Sequence, residues 1–378
     1  MSDEQHSWRN VLREFCRDVV APGAASRDET RTFDLDLVRA VTRLGVFELI
    51  DDRSDPPTID VTSLSIAVEE LARVDSSLAV TVHVQAMSAA LFAQLAPPGL
   101  REELLPKMTA GEEFVAFGLT EPSGGSDAGN IATTAVRDGD EWVINGAKQF
   151  ITNSGTPLTK YVIVFTATGA ATNGRPPVTA FLVPTDAPGF TVGEPYRKLG
   201  WRSSDTHPLF FDNVRVPHSA LLGKEGRGYR AALEFLTWSR IPIAAMAVGL
   251  AQGCLDESLE FVEGRTSFGR PLGAHQALAF SLADLAAMVT TSRVVTYDAA
   301  WRHDHGHDYE HSAAVAKLVA SEMAMRAASI ATQVHGGYGF MDDSPVTRHF
   351  RDARILTIGE GSSEVQRMLI ARQLGLPT

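Results

Sequence analysis

The chain has 378 residues, a formal net charge of −12 at pH 7, 44% hydrophobic residues and 21% charged residues. These values exclude a disordered chain and predict two or three folded domains rather than one core. The acidic balance excludes a general nucleic-acid binder, which needs a basic face to meet phosphates, but it leaves room for a local basic pocket for an anionic ligand. Cys16 and Cys254 are the only cysteines, too few for a disulfide framework and without a CxxC pair, so a reducing cytoplasm is the expected setting.

The first ten residues, MSDEQHSWRN, are polar and mixed in charge, so no signal peptide is expected. Residues 1–112 read as an N-terminal helical domain. In FDLDLVRAVTRLGVFELI the residues Leu37, Val41, Leu44 and Phe47 recur at helical spacing and predict one apolar face. The piece DDRSDPPTID, 51–60, carries two prolines and reads as a loop. From 113 to 220 the pattern changes to short alternating runs rich in Val, Thr, Phe, Gly and Pro, which predict a compact β-barrel or sandwich. Within it, Asn145-Gly146 predicts a hairpin turn between two strands. From 221 to 378 helical periodicity returns, with Leu255, Leu259 and Val262 as one stripe and Leu278, Leu282 and Leu285 as another. Four or five long helices in an up-and-down bundle are expected there. The longest apolar run, IPIAAMAVGLA, reads as too short to cross a bilayer, and no membrane insertion is expected.

The order is helices, then strands, then helices. Strand–helix alternation is missing, so a Rossmann fold is not expected, and GGYGF, 336–340, neither follows a strand nor matches GxGxxG. Three stretches hold residues suited to chemistry. FGLTEPSGGSDAGN, 117–130, sets Thr120, Ser123 and Ser126 beside Glu121 and Asp127, a loop that can offer N–H and O–H donors to a planar heterocycle or a phosphate. An ordinary Gly/Ser turn has the same composition. KQFITNSG, 148–155, offers Phe150 to a ring face and Thr152 to a ring edge. ILTIGEGSSEVQR, 355–367, isolates Glu360 between two glycines ahead of a helix-like run. Glu360 reads either as an acid favoured at a helix N-terminus, with Ser363 and Gln366 spaced as a capping box, or as a general base on a tight turn.

The runs LTEPSGGSD, KQFITNS, KLGWRSSDTHPLFFDNVRVP, GRTSFGRPLGAHQALAFSLADLA, QVHGGYGF and RDARILTIGEGSSEVQR occur in that order. Together they resemble the acyl-CoA dehydrogenase family of flavoproteins over about residues 35 to 375. The resemblance implies a multi-domain α+β fold: an all-α N-terminal domain, a middle β-barrel domain and a C-terminal four-helix-bundle domain. It implies FAD as cofactor. Phe117, Leu119, Thr120 and Ser126 match positions around the flavin ring and ribityl chain. Phe150 and Thr152 match the pair on the ring's far side. Arg265, Phe268, Gln276, Gln333, Gly336 and Gly337 match residues that hold the pyrophosphate and adenosine of a neighbouring subunit's FAD, and Ser362 and Glu364 match positions near the adenosine end. A homotetramer, a dimer of dimers, is implied.

By the same resemblance Glu360 is the α-proton base, and the family's alternative base position, just before Arg240, holds Ser239. The implied substrate is an acyl-CoA or acyl-carrier-protein thioester, oxidised to the trans-2-enoyl thioester, with an electron-transferring flavoprotein as the electron acceptor and fatty acid metabolism as the setting. Ser126, Thr237, Arg240, Gly359 and Gly361 are the expected substrate-side residues. Arg240 reads equally as a structural ion-pair partner, with Asp127 as the candidate. Thr237 stands where the family usually has an Asp toward the pantetheine arm. Gly359 stands where many straight-chain enzymes have a bulky aromatic, which implies room for a branched or functionalised acyl group. DDRSDPPTID departs from the family's Pro-Glu-x-x-Gly-Gly type stretch. A flavin monooxygenase on the same scaffold and a cofactor-less interaction module are the two other readings. RHDHGHDYEH, 302–311, gathers His303, His305, His307 and His311 with three acids, but without ordered metal-ligand spacing it reads as a solvated interhelical loop.

Overall fold

The computed structural model describes residues 1–171 and 174–377. The N-terminal third is helical: α1 (Asp3–Phe15), a π-helical turn (Cys16–Val20), α2 (Ala21–Thr30), α3 (Leu35–Thr42), α4 (Val61–Ala72), α5 (Ser76–Leu95) and α6 (Pro98–Thr109). Short acids set the helix starts. Asp34, Asp60 and Asp75 each accept a backbone N–H in the first turn of α3, α4 and α5, which satisfies donors the helix itself leaves free. The predicted face of α3 is partly right: Leu37 and Val41 are buried in the helix, while Leu44 and Phe47 pack from the turn beyond its end. The 51–60 segment is more ordered than a loop. Its ends pair as a two-stranded ribbon, β1 (Ile50–Asp51) with β2 (Thr58–Ile59).

The middle region is one eight-stranded sheet made of β3 (Phe114–Gly118), β4 (Thr134–Asp138), β5 (Glu141–Thr152), β6 (Thr159–Ala167), β7 (Val178–Pro184), β8 (Phe190–Val192), β9 (Thr206–Pro217) and β10 (Leu221–Leu222). The strand path is β10-β7-β6-β4-β5-β9-β8, with β3 running parallel beside β6. Side chains from strands distant on that path meet. Trp142 of β5 lies 5.2 Å from Phe181 of β7, centroid to centroid, and both belong to a core that also takes Val164, Leu209 and Phe211. The sheet therefore curls around its own interior.

The Asn145-Gly146 hairpin does not form. Both residues lie inside β5, and the turn into that strand falls at Gly139-Asp140. The register of β5 against β9 slips between Ile144 and Gly146, so the pair marks a bulge. Asn145 and Asn213 bond to each other across it at 2.8 and 3.3 Å, and a Cβ on Gly146 would stand 2.6 Å from the Thr133 hydroxyl. The turn signature was spent on fitting two strands together.

The C-terminal region holds α7 (Gly228–Gly264), a small ribbon of β11 (Thr266–Ser267) and β12 (Arg270–Pro271), α8 (Gln276–Asp304), α9 (Glu310–His335), α10 (Pro345–Leu356) and α11 (Ser363–Gln373). Three of these five helices are long. In the first predicted stripe Leu255 and Val262 are buried, but Leu259 is 47% exposed. The two helical regions do not keep separate cores: one cluster runs from Leu12 and Leu64 through Met246 and Leu250 to Ala324 and Leu356. At the junction of α4 and α7, a Cβ on Gly249 would overlap the Glu69 carbonyl, so the helices touch backbone to backbone. Asp304, at the end of α8, accepts the N–H groups of Val61 and Thr62 at 3.0 and 2.9 Å, tying the helix regions together again.

By length and composition α5, α7 and α8 could each cross a membrane, which corrects the expectation for the IPIAAMAVGLA run, now part of a 37-residue helix. The apolar windows of α5 and α7 are 89% and 72% buried within the protein, whereas that of α8 is only 22% buried.

Candidate functional site: a buried carboxylate on a left-handed turn

Glu360 lies between α10 and α11 with φ +55, a backbone conformation that costs an L-residue about 1–2 kcal/mol. Gly361 follows at φ +85. A Cβ there would stand 2.7 Å from Gln366 Nε2, so a side chain would strain the backbone and also push that amide aside. The turn is clamped from inside. Lys317 Nζ and Gln366 Nε2 both donate to the Gly361 carbonyl, at 2.7 and 2.9 Å. The capping box does not form as spaced: Ser362, not Ser363, caps α11 by accepting from Val365 N–H, and Gln366 is drawn inward to Gly361.

The Glu360 carboxylate accepts the Ser239 hydroxyl at 3.0 Å on Oε2. Burial raises its pKa above the usual carboxylate value, against the opposing pull of the Ser239 bond and of the Lys317 and Arg240 charges. Its backbone N–H donates to no acceptor among the described residues. A poised base and an unspent donor thus sit on one residue. The macrodipole reading of Glu360 accounts for neither the Ser239 contact nor the left-handed backbone.

Arg240 is buried, with its Nε unpartnered, and the charges nearest to it are Glu360 and Glu310, with Tyr309 beside them. It does not pair with Asp127, which is exposed and bonds Arg175 at 3.1 Å. Thr237, one turn before, donates to the Leu233 carbonyl at 2.8 Å. Around Gly359 an added Cβ would meet only Ile355 atoms, the nearest at 3.6 Å, so the position has room.

Phe117, next to last in β3, packs edge-on to Phe165 and 5.8 Å from Phe235 of α7. Leu119 is buried, Thr120 half-buried and Ser126 exposed. The loop that carries them is anchored by an ion pair the sequence reading missed. Lys148, 0% exposed, donates to Glu121 Oε1 at 2.7 Å, and Glu121 also accepts the N–H groups of Ala132 and Thr133. Burial pulls Lys148 down to about 8 against the Glu121 charge, so both remain charged at neutral pH. Glu121 is therefore an internal brace of the loop. Phe150, 58% exposed at φ +60, shows its ring beside Tyr196, with Thr152 half-buried two residues on.

The second group lies at the far end of α7. Arg265 sits over the rings of Phe261 and Tyr338, and Phe268 and Phe340 are 95% and 86% exposed. Gln276 and Gln333 are exposed, and Cβ atoms on Gly336 or Gly337 would meet nothing, whereas half-buried Ser362 and exposed Glu364 lie on the Glu360 turn, which meets α7 at Ser239 instead. Exposed aromatic faces, an arginine and open backbone fit a planar heterocycle and its phosphates. Phe150, Phe268 and Glu360, from the two groups and the base turn, are three of the seven described non-glycine residues at positive φ, as expected where backbone strain serves a site. From Phe235 to Phe261 is 26 residues of helix, about 39 Å at 1.5 Å per residue, longer than one dinucleotide reaches.

The His-rich run does not converge: His305 and His307 stack on Trp301, Asp304 caps α4, and among the described residues no group of three or more potential ligands could hold a metal.

A helical–β–helical chain with flavin-suited surfaces and a buried, raised-pKa carboxylate fits the class of flavin-dependent dehydrogenases acting on CH–CH groups. Family models agree along nearly the whole length: acyl-CoA dehydrogenase N-terminal domain over residues 2–112, middle domain over 116–214 and C-terminal domain over 226–375. The probable acyl-CoA dehydrogenase YngJ of Bacillus subtilis is 39% identical over 376 residues, covering 99% of this chain and 98% of that one. Cyclohexane-1-carbonyl-CoA dehydrogenase of Geobacter metallireducens is 38% identical over 375 residues, with 99% and 98% covered. Among solved structures, butyryl-CoA dehydrogenase from Megasphaera elsdenii superposes with a TM-score of 0.94 at 35% identity, covering 99% and 98%. A structure described under the electron transferring flavoprotein of Acidaminococcus fermentans superposes at 0.92 with 34% identity, covering 99% and 98%. The chain belongs to the acyl-CoA dehydrogenase family. It is an FAD-dependent oxidoreductase that introduces a double bond into an acyl-CoA thioester, which sets aside the monooxygenase and interaction-module readings.

Proposed function

We propose that the substrate is a short, branched or alicyclic acyl-CoA and that Glu360 removes its α-proton. The observation that carries this is Glu360 itself: a carboxylate bonded to Ser239, raised in pKa by burial, on a residue whose own N–H is unspent. A thioester α-proton is very weakly acidic, so a raised base pKa narrows the mismatch, and an N–H aimed at the thioester oxygen stabilises the developing enolate. Phe117, Leu119, Thr120, Ser126, Phe150 and Thr152 would hold FAD, which would supply hydride acceptance at the β-carbon. The space beside Gly359 favours a branched or ring-bearing acyl group, and the cyclohexane-1-carbonyl-CoA and short-chain relatives support that class.

The same reading assigns the Arg265 end of α7 to the FAD of a neighbouring subunit, because the two groups stand too far apart to share one molecule. The largely uncovered apolar window of α8 supports assembly, and a homotetramer is the proposed state. An electron-transferring flavoprotein is the proposed acceptor. A role in fatty acid metabolism and a cytoplasmic location belong to the same proposal; two free, buried cysteines suit a reducing compartment.

The test is Glu360→Gln. The variant is expected to fold, to bind FAD and to reduce it with an acyl-CoA at least about 10²-fold more slowly. Near-normal flavin reduction would remove the base assignment.

A further inference from the structure

Lys317 is an ammonium in an unusual place. It lies about two turns into α9 among Ala313, Ala314, Ala316 and Ala320, all buried, and is itself 0% exposed. Among the described residues its only hydrogen-bond acceptor is the Gly361 carbonyl, and no carboxylate lies within ion-pair distance of Nζ. A buried lysine without a direct counter-ion is a poor way to hold helices together, since an apolar side chain of the same length would pack there without desolvating a charge. Nor is it needed merely to satisfy that carbonyl, which Gln366 already bonds.

We propose that Lys317 is a positioning residue for the proton-abstracting turn: its ammonium clamps the Gly361 carbonyl, fixes Glu360 in its left-handed conformation, and keeps a positive charge behind the carboxylate. This rests on the reading of Glu360 as the base. The groups around the turn are few. From α7 come Ser239, bonded to the carboxylate, and Arg240; from α9 comes Lys317; from α11 comes Glu364, with Glu310 and Tyr309 beyond Arg240. Burial draws Lys317 down to about 8, with the Glu360 charge opposing, so it stays protonated at neutral pH. Its charge favours the ionised base. Its removal therefore raises the Glu360 pKa and moves the acid limb of the kcat/KM profile to higher pH.

The experiment compares Lys317→Met, Lys317→Gln, Lys317→Arg and Glu360→Gln in FAD-loaded protein, by flavin content, melting temperature and kcat and KM from pH 5 to 9 with butyryl-CoA. Lys317→Met is expected to lose about 10-fold to 10²-fold in kcat, even where the base is fully ionised, with KM little changed. Its acid limb should also shift upward. Lys317→Gln keeps a donor without the charge, so it should show the limb shift with a smaller loss of kcat, and Lys317→Arg should restore the limb. Wild-type kcat and an unmoved acid limb in Lys317→Met would overturn the proposal. If that variant fails to fold, an unmoved limb in Lys317→Gln decides the same way. Inactive Glu360→Gln beside unaffected Lys317 variants sinks only the positioning role, whereas active Glu360→Gln sinks the base.

Discussion

Ser239 and Glu360 stand 121 residues apart in the chain and 3.0 Å apart in space, hydroxyl to carboxylate. The two positions that the family resemblance marks for a base, one on α7 and one before α11, therefore face each other across a single hydrogen bond, and under the proposed reading Ser239 steadies the carboxylate. The Ser239 bond is the largest of the influences that hold the Glu360 pKa down against burial. Ser239→Ala should raise that pKa further and move the acid limb of kcat/KM to higher pH, because a hydrogen bond to the ionised form is lost. A pH–rate profile of FAD-loaded Ser239→Ala checks this; an unshifted limb refutes it.

Gly359 leaves space beside the base. Gly359→Tyr should fold, since an added Cβ meets only ordinary contacts with Ile355. It should lower kcat/KM for isobutyryl-CoA relative to butyryl-CoA by about 10-fold, the scale on which pocket shape discriminates a methyl group. An unchanged ratio would mean that the acyl group does not pass this residue.

Lys148 and Glu121 form a pair 0% and 4% exposed that pins the 119–133 loop to β5. Removing one partner of such a pair strands the other. Lys148→Met should destabilise the protein by about 3–5 kcal/mol and weaken FAD retention, because the same loop carries Thr120 and Ser126. The double change Lys148→Met, Glu121→Gln should recover much of the stability. Denaturant unfolding and flavin content after gel filtration measure both effects.

Asp352 is buried and accepts the Trp201 N–H at 2.6 Å, with Arg348, Asp28 and Asp75 the charges around it and Lys198 beside it on the β side. Burial lifts its pKa from 3.8 to about 7. Between those values the folded chain holds a proton that the unfolded chain has lost. The stability from this group is complete below about pH 4 and disappears as pH rises through about 7. Asp352→Asn, which cannot ionise, should therefore flatten the decline in melting temperature over that interval; an identical slope in both proteins would contradict the assignment.

Much of the fold was legible because periodicity is a local property: the change from helical to alternating pattern near 113, and back near 221, follows from which side chains must be buried within a few residues of each other. Local signals misled where a distant strand or turn used the same residues. Asn145-Gly146 carries the chemistry of a turn, yet its partner is Asn213 in β9, and the pair became a bulge. Ser363 and Gln366 have capping spacing, but the Gly361 carbonyl competes for Gln366 and wins.

The candidate site divides in the same way. The sequence by itself determined the residue types: a lone carboxylate between glycines, aromatic and hydroxyl residues at the two cofactor-suited surfaces, and the order of segments that resembles one family. The tertiary structure decided which groups converge on the carboxylate. It turned Arg240 toward Glu360 rather than Asp127, brought Ser239 onto the base and set Lys317 behind it. A lysine amid alanines was the one available hint of the last. The physical reason is that charge, desolvation and hydrogen bonding act over a few ångströms of space, whatever the separation along the chain.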